Sequence, residues 1–242
     1  MERFLRLGYL IGFALLVGSP YMLPAVSFPR ANASSRVDKL TSANWWQSKV
    51  SSQITASAGK RFNGCVFGDS ISSGLGNTLG QSNYNFSMGG MSTVSLLEQL
   101  RKLKAGNVRC EKVAIAIGTN DAMFSIRDRD FKNNLRQIVT LSRGLGASEI
   151  TLLPAFYSTV EASQNPDAAG TLDRVDQISA LIRQVAVEQD VKLLADGIPQ
   201  LYRDHSLKAE LTPDGVHLNE SGKNIYRQVL LNLLGDSAVS SR

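Results

Sequence analysis

The sequence predicts an α/β domain in which helices cover both faces of a parallel β-sheet. Short apolar runs alternate along the chain with longer segments whose apolar residues recur every three or four positions. The short runs are continuously apolar, which is typical of strands buried on both faces. The chain has 242 residues, of which 43% are hydrophobic, enough for one such domain with a full core.

Five segments are predicted to be strands. Lys112–Gly118 is the clearest, because Val, Ala and Ile follow one another until a glycine ends the run. Cys65–Gly68 is similar and leads directly into Asp69 and Ser70. The other predicted strands are Asn83–Met88, Glu149–Leu153 and Val191–Leu194.

Amphipathic helices are predicted between and after these strands. They span Ser92–Lys104, Asp130–Arg143, Thr171–Gln189 and Asn219–Leu234. In the second of them the apolar face consists of Phe131, Leu135, Ile138 and Leu141. The two longest connections, Ala155–Gly170 and Pro199–Pro213, are predicted to form the rims of a binding site.

Residues 1–33 are predicted to direct export. Arg3 and Arg6 precede an uncharged span, and Ala31-Asn32-Ala33 offers the small residues that a signal peptidase requires. An uncleaved membrane anchor through residues 7–29 is the alternative, because that span is long enough to cross a bilayer. Both interpretations place the domain outside the cytoplasm, whether periplasmic, extracellular or membrane-anchored. Residues 34–60 are predicted to be a linker and a short helix, and residues 237–242 a polar tail.

The net charge and the two cysteines bear on which partners, disulfides and metal sites can be expected. The net charge is +5 without a dense run of Lys and Arg, so a nucleic-acid partner is not expected. If the strands carrying Cys65 and Cys110 end level, the two cysteines lie about five residues out of register, or roughly 16 Å apart. They are therefore predicted to be unpaired. No CxxC or Cys/His cluster occurs, so no metal site is expected.

A candidate nucleophile and base follow from the polar residues at strand ends. Ser70 comes directly after a predicted strand, where its hydroxyl would reach the carboxyl edge of the sheet. A nucleophilic serine usually needs an imidazole base, and the chain contains only His205 and His217. Asp214 lies three residues before His217, across a glycine-containing turn, and could orient its ring. His205 follows Asp204 in a polar stretch and is predicted to be a surface residue.

Candidate donors to an oxyanion follow two other strands. Asn120 comes after the strongest predicted strand and should emerge at the same edge as Ser70. Gly89 and Gly90 follow the second strand, where a glycine leaves a backbone N–H open to a substrate. These donors would stabilise the charge that develops when a hydroxyl attacks a carbonyl.

These segments, taken together, resemble the four sequence blocks of the GDSL-type lipases and esterases, also called SGNH hydrolases. Gly68-Asp69-Ser70 with its following residues is similar to the first block, and Asn85 through Ser92 to the second, which puts the family glycine on Gly90. Gly118-Thr119-Asn120-Asp121 is similar to the third block, and Asp214 through His217 to the last. The blocks occur in the family's order within a predicted SGNH domain at residues 61–236.

The resemblance implies a three-layer α/β/α sandwich, flavodoxin-like, with a five-stranded parallel sheet in the order 2-1-3-4-5. It implies a catalytic triad of Ser70, Asp214 and His217. It also implies an oxyanion hole formed by the backbone N–H groups of Ser70 and Gly90 and the side chain of Asn120. The implied chemistry is acyl transfer through an acyl-enzyme, with neither a metal nor an organic cofactor.

The function expected from this chemistry is hydrolysis of small-molecule or glycan esters, with short acyl chains or carbohydrate acetyl groups favoured. One alternative is an O-acyltransferase that uses the same site on an extracellular glycan. Another is a non-catalytic domain that binds glycans or lipids. A nucleotide-binding domain is disfavoured, because Gly74–Gly80 matches neither G-x-G-x-x-G nor a Walker A sequence. The sequence predicts no oligomeric state.

Overall fold

The sheet is the framework of the fold. The computed structural model describes residues 38–235, within which five parallel strands form one sheet in the order β2-β1-β3-β4-β5. The strands are β1 (Arg61–Gly68), β2 (Asn83–Asn85), β3 (Arg109–Ala116), β4 (Glu149–Leu152) and β5 (Lys192–Leu193). This is the α/β/α fold and strand order that the sequence indicated. A separate hairpin, β6 (Tyr202–Arg203) and β7 (Ser206–Leu207), is antiparallel.

Helices pack on both faces of the sheet. They are α1 (Asn44–Ser57), α2 (Ser70–Ser73), α3 (Thr93–Ala105), α4 (Thr119–Met123), α5 (Asp128–Gly144), α6 (Val160–Ser163), α7 (Leu172–Glu188) and α8 (Glu220–Leu234). The apolar faces of α3, α5 and α7 form one core layer with the side chains of Val113 and Ile115. Ala114 and Ala116, which alternate with them along β3, pack on the other side with residues of α8. A strand buried on both faces explains the unbroken apolar run.

The predicted element boundaries differ from the observed ones mainly at strand ends. β1 and β3 begin earlier than predicted, at the charged residues Arg61 and Arg109, because backbone pairing continues beyond the apolar segment. β2 is shorter than predicted and stops at Asn85, although the N–H of Phe86 still donates to the carbonyl of Val66 at 2.9 Å. The chain therefore continues beside β1 towards its carboxyl end.

The prediction of unpaired cysteines is wrong. Cys65 and Cys110 form a disulfide with a Cα–Cα distance of 5.8 Å. The strands do not end level, because Gly68 is aligned with Ala116, which reduces the offset between the cysteines from five residues to three. The regular alternation of β3 is also broken, since Cys110 and Val113 are both buried on the same side of the sheet. Such a local irregularity turns Cys110 towards Cys65.

The N-terminal part of the described chain packs on the domain. In α1, Trp46 and Val50 are buried in the main core, whereas Trp45 is exposed. Within residues 38–235, every helix is too short or too polar to span a bilayer. The predicted export segment (residues 1–33) and polar tail (237–242) lie outside the described residues.

Candidate active site

Ser70 lies at the carboxyl end of β1, where the chain turns abruptly from strand to helix. Asp69 adopts an extended conformation and caps α2, since its Oδ1 accepts the N–H of Ile71 at 3.0 Å. Ser70 is the first residue of that helix and is half-buried. The turn keeps its hydroxyl at the edge of the sheet, between the ends of β1 and its neighbours.

Asp214 and His217 lie on a tight loop that precedes α8. The Oδ1 atom of Asp214 accepts the N–H groups of Val216 at 2.9 Å and of His217 at 2.8 Å, which folds the loop around the carboxylate. Gly215 has φ = +84°, and a Cβ there would lie 2.8 Å from the side chain of Ala162. A glycine is therefore required at this turn, both for its backbone conformation and for space.

The three predicted catalytic residues form one hydrogen-bonded chain. His217 Nδ1 lies 2.7 Å from Asp214 Oδ2, and His217 Nε2 lies 2.9 Å from Ser70 Oγ. With the proton of the neutral ring on Nδ1, this nitrogen donates to the carboxylate and leaves Nε2 free to accept the serine proton. The structure thus brings together Ser70, Asp214 and His217, which are up to 147 residues apart in the sequence.

Asp214 is held as a carboxylate. Partial burial opposes ionisation, but the hydrogen bonds from the His217 ring and from the backbone N–H groups of His217 and Val216 outweigh it. They lower the pKa of Asp214 to about 2. The side chains of His217 and Asp214 remain 47% and 50% exposed, so solvent reaches both.

Asn120 lies on α4, just beyond the end of β3. Gly118, with φ = +133°, makes the turn into this helix, and a Cβ there would lie 2.8 Å from the side chain of Ile178. The Nδ2 atom of Asn120 donates to the carbonyl of Met91 at 2.9 Å. An amide nitrogen has two hydrogens, so a second one remains to serve a ligand.

The β2–α3 connection brings Gly89 and Gly90 to the same edge. The N–H of Met88 donates to the carbonyl of Gly68 at 3.2 Å, which aligns the connection with the end of β1. A Cβ on Gly89 would lie 4.0 Å from the Cβ of Ser70, so the chain passes directly beside the serine. Gly90 then turns the chain with φ = +73° and faces Leu40. The choice of Gly90 as the N–H donor stays a prediction.

Two buried carboxylates that sequence reasoning missed hold this connection in place. Asp38 Oδ2 accepts the hydroxyls of Ser92 and Ser95, each at 2.6 Å, and Asp121 accepts the N–H of Thr93 at 3.0 Å. Burial raises the pKa of Asp121 to about 7, although its bonds from Thr93 oppose the shift. Asp121 directly follows Asn120, so the motif around Asn120 could have indicated it. Asp38 lies 54 residues before Ser92, and no sequence pattern near it indicates the contact.

The other predicted features lie elsewhere. His205 contacts Asp176 and Tyr157, since its Nδ1 lies 3.2 Å from Asp176 Oδ1 and 3.3 Å from the Tyr157 hydroxyl. Within the described part of the chain, no three His, Cys, Asp or Glu side chains are grouped so as to hold a metal ion.

Asp69 makes the stability of the fold depend on pH. Burial raises its pKa from 3.8 to about 6, against the opposing effects of the Ile71 N–H, His217 and the Thr119 hydroxyl. Between these two values the folded protein keeps a proton that the unfolded chain releases, so the free energy of unfolding falls as pH rises. Asp69→Asn removes this titration. As pH rises from 4 to 6, we expect the free energy of unfolding of the variant to increase by up to about 3 kcal/mol relative to that of the wild type.

Urea unfolding at a series of pH values measures this difference. Asp173→Asn, which changes an exposed carboxylate on α7, is the matched control and should follow the wild type at every pH. Parallel curves for Asp69→Asn and the wild type would show that Asp69 ionises as freely in the folded protein as in the unfolded chain.

Comparisons with known proteins concern the family and the fold of this chain. The model of the GDSL-like lipase/acylhydrolase family matches residues 54–225. A GDSL-like lipase from Bacteroides thetaiotaomicron is similar in structure, with 16% identity and a TM-score of 0.63 over 77% of this chain and 96% of that one. No curated protein matches the sequence.

Two further solved structures share the fold. One is a catalytic mutant of Axe2, an acetylxylan esterase from Geobacillus stearothermophilus, with 20% identity and a TM-score of 0.54 over 76% of this chain and 98% of that one. The other is TesA, with 20% identity and a TM-score of 0.54 over 71% and 98% of the two chains. At such identities the likeness concerns the fold alone, and the family match carries the assignment. The chain therefore belongs to the GDSL-like lipase/acylhydrolase family and is a carboxylic ester hydrolase.

Proposed function

We propose that this protein is a serine esterase that cleaves carboxylic esters through an acyl-enzyme on Ser70, and that its substrates are short-chain or carbohydrate acetyl esters. The observation that carries the proposal is the continuous chain from Asp214 through His217 to Ser70, with distances of 2.7 and 2.9 Å. Both are hydrogen-bond distances, as a nucleophile, its base and the orienter of the base require.

The first half of the reaction forms the acyl-enzyme. Ser70 Oγ attacks the ester carbonyl carbon while His217 Nε2 takes the hydroxyl proton. The imidazolium that results is stabilised by the carboxylate of Asp214, whose pKa of about 2 keeps it ionised. His217 then gives the proton to the leaving alcohol as the C–O bond breaks, and the acyl group remains on Ser70.

The carbonyl oxygen becomes negatively charged in the tetrahedral intermediate. The N–H groups of Ser70 and Gly90 and the amide of Asn120 are the proposed donors to it. Asn120 is anchored through its bond to the Met91 carbonyl, and the connection that carries Gly90 is held by Asp38 and Asp121. Donors fixed in advance stabilise the charge without reorganising during the reaction.

The second half of the reaction returns the free enzyme. A water molecule loses a proton to His217 and attacks the acyl carbon, and the proton then returns to Ser70 Oγ as the carboxylic acid leaves. The exposure of His217 and Asp214 gives water access to the acyl-enzyme. This access supports hydrolysis as the fate of the acyl group.

The surroundings of Asp214 support a small or sugar-linked ester. A cavity of about 440 Å³ beside it is lined mostly by small and polar residues, among them Thr159, Asn165 and Thr212. The hydroxyl, amide and carboxylate groups among these residues can bind the hydroxyls of a sugar-linked ester. The acetylxylan esterase with the same fold acts on an ester of this class, and this likeness also supports the proposed substrate.

We further propose that the domain works outside the cytoplasm, either released or attached to a membrane through residues 7–29. The disulfide between Cys65 and Cys110 supports this location, because disulfides persist mainly in oxidising compartments.

A substrate panel tests the proposed function. We expect p-nitrophenyl acetate and acetylated xylo-oligosaccharides to be hydrolysed with a kcat/KM at least tenfold above that for p-nitrophenyl decanoate, because hydroxyl, amide and carboxylate groups line the cavity beside Asp214. A preference for the decanoate would contradict the substrate class, and hydrolysis of none of the three would contradict the proposal as a whole.

Asn120→Ala tests the oxyanion donors. Removing one such donor typically lowers kcat by about 10²- to 10³-fold, and we expect a loss in this range with little change in KM. Steady-state kinetics with p-nitrophenyl acetate give both values. Asn133→Ala, which removes an exposed amide on α5, is the control and should retain wild-type activity. A loss below threefold in Asn120→Ala would exclude Asn120 as a donor.

A further inference from the structure

A second cavity lies at the carboxyl ends of β4 and β5, two strands away from Ser70 in the sheet. Its volume is about 520 Å³, within the range of small-molecule sites. One wall comes from the segment after β4, a second from α7 and a third from the segment after β5 with the β6–β7 hairpin. The polar and aromatic side chains that line it include Tyr157, Asp176, Arg183, Asp196, Asp204 and His205.

Three charged side chains that line this cavity are exposed and make no hydrogen bond or ion pair among the described residues. Within residues 38–235, neither Arg183 nor Asp196 nor Asp204 makes a hydrogen bond or an ion pair through its side chain. A guanidinium offers only donors and a carboxylate only acceptors, so the cavity presents both kinds of group to a ligand. A ligand rich in hydroxyl groups can satisfy both, since each hydroxyl donates and accepts.

The β6–β7 hairpin places His205 at the cavity through a turn whose two central residues have positive φ. Asp204 and His205 are its two central residues and both have positive φ, +47° and +59°. Asn-Gly, Asp-Gly and Gly-Gly are the usual pairs in such turns, so Asp204 suits the first position, whereas glycine is usual where His205 stands. His205 is held in place by Asp176 and Tyr157, and its ring centroid lies 5.6 Å from that of Tyr157. The turn therefore carries a side chain that the backbone alone would not favour.

One short segment joins the wall of this cavity to the catalytic loop. Tyr157 lines the cavity, and two residues later the N–H of Thr159 donates to the carbonyl of Gly215 at 2.8 Å. Gly215 lies between Asp214 and His217, so the cavity wall and the catalytic loop are directly bonded. Two residues span at most about 7 Å. The part of the wall formed by Tyr157 therefore lies within a few sugar lengths of the loop that carries Asp214 and His217.

We propose that this cavity is an accessory subsite that binds an uncharged sugar unit of the same glycan whose ester is cleaved at Ser70. The aromatic ring of Tyr157, which contacts the rings of Tyr202 and His205, lines the cavity and supplies apolar surface for a pyranose, while Arg183, Asp196 and Asp204 bind its hydroxyls. Asp176, Asp196 and Asp204 outnumber Arg183, so an acidic sugar is disfavoured. The inference rests on the proposed function only for the identity of the substrate as a glycan.

Binding of unacetylated oligosaccharides tests the subsite without any chemistry at Ser70. The wild-type protein is titrated by calorimetry with xylotetraose, cellotetraose, mannotetraose and chitotetraose, and with tetragalacturonate as an acidic comparator. At least one neutral sugar is expected to bind, and more tightly than tetragalacturonate. Arg183→Ala should weaken that binding about tenfold, the effect of losing one hydrogen bond to a charged group. Arg203→Ala removes an exposed guanidinium from the β6–β7 hairpin, outside the cavity, and should bind like the wild type.

Kinetics link the subsite to the reaction. Two substrates are compared, the acetylated form of the bound sugar and p-nitrophenyl acetate. In Arg183→Ala, we expect kcat/KM for the sugar ester to fall about tenfold relative to kcat/KM for p-nitrophenyl acetate, because the KM for the sugar ester rises. Binding of none of the neutral sugars, tighter binding of the acidic comparator, or equal binding by Arg183→Ala and the wild type would overturn the subsite. Loss of the proposed function would look different, because wild-type protein would then fail to hydrolyse p-nitrophenyl acetate.

Discussion

Replacing Ser70 with alanine is expected to lower kcat for p-nitrophenyl acetate by about 10⁶-fold, the loss that removal of a serine nucleophile causes in a triad. The variant keeps the fold, since the Ser70 side chain is half-buried and its hydroxyl bonds only to His217 within the described residues. Only the atom that forms the acyl-enzyme is lost. Initial rates with purified protein, corrected for spontaneous hydrolysis, provide the measurement.

Ser73→Ala is the matched control. Ser73 is on the same short helix, is also half-buried, and makes no side-chain hydrogen bond within residues 38–235. It should retain wild-type activity. If Ser70→Ala kept more than about one hundredth of the wild-type kcat, the hydrolysis would not depend on a serine nucleophile at this position.

Replacing Asp214 with asparagine is expected to lower kcat by about 10⁴-fold. Asparagine keeps an oxygen that accepts the N–H groups of Val216 and His217, so the loop retains its shape. Its amide NH₂, however, would face Nδ1 of His217 and require that nitrogen to be an acceptor. The ring proton would then lie on Nε2, which could no longer accept the proton of Ser70.

Steady-state kinetics together with circular dichroism separate this effect from misfolding. Asp190→Asn is the control, because it removes an exposed carboxylate at the end of α7 where φ is +50°, a conformation that asparagine tolerates. A loss of less than tenfold in Asp214→Asn, with the fold intact, would remove Asp214 from the role of orienting His217.

The layers of the fold were predictable because they depend on local patterns. The apolar run in β3 and the helical spacing in α5 are properties of short segments, and the structure contains both elements. The order of the strands was not available from such patterns. It followed from the resemblance of four short motifs to a family, and the sheet has that order.

The disulfide was not predictable because it depends on how two strands align. The predicted separation of Cys65 and Cys110 required that their strands end level and alternate regularly. The alignment of Gly68 with Ala116 and the irregular burial in β3 remove both assumptions. Neither property is visible in the sequence of either strand alone.

In the candidate site, too, local contacts were predictable and long-range contacts were not. Asp214 and His217 lie within one turn, so local spacing was sufficient to predict their contact. The support of the glycine-bearing connection by Asp38 was not predictable, because that carboxylate reaches Ser92 and Ser95 across more than fifty residues. Motifs thus identify the groups proposed to react, whereas the buried groups that fix their positions emerge only from the fold.

Covalent labelling tests the central claim most directly. A fluorophosphonate reacts with an activated serine, and mass spectrometry of the digested protein identifies the modified peptide. We predict stoichiometric labelling of the peptide that contains Ser70, with labelling slowed by several orders of magnitude in His217→Ala, since the base is then absent. Labelling at another residue, or no labelling of protein that hydrolyses p-nitrophenyl acetate, would contradict the account.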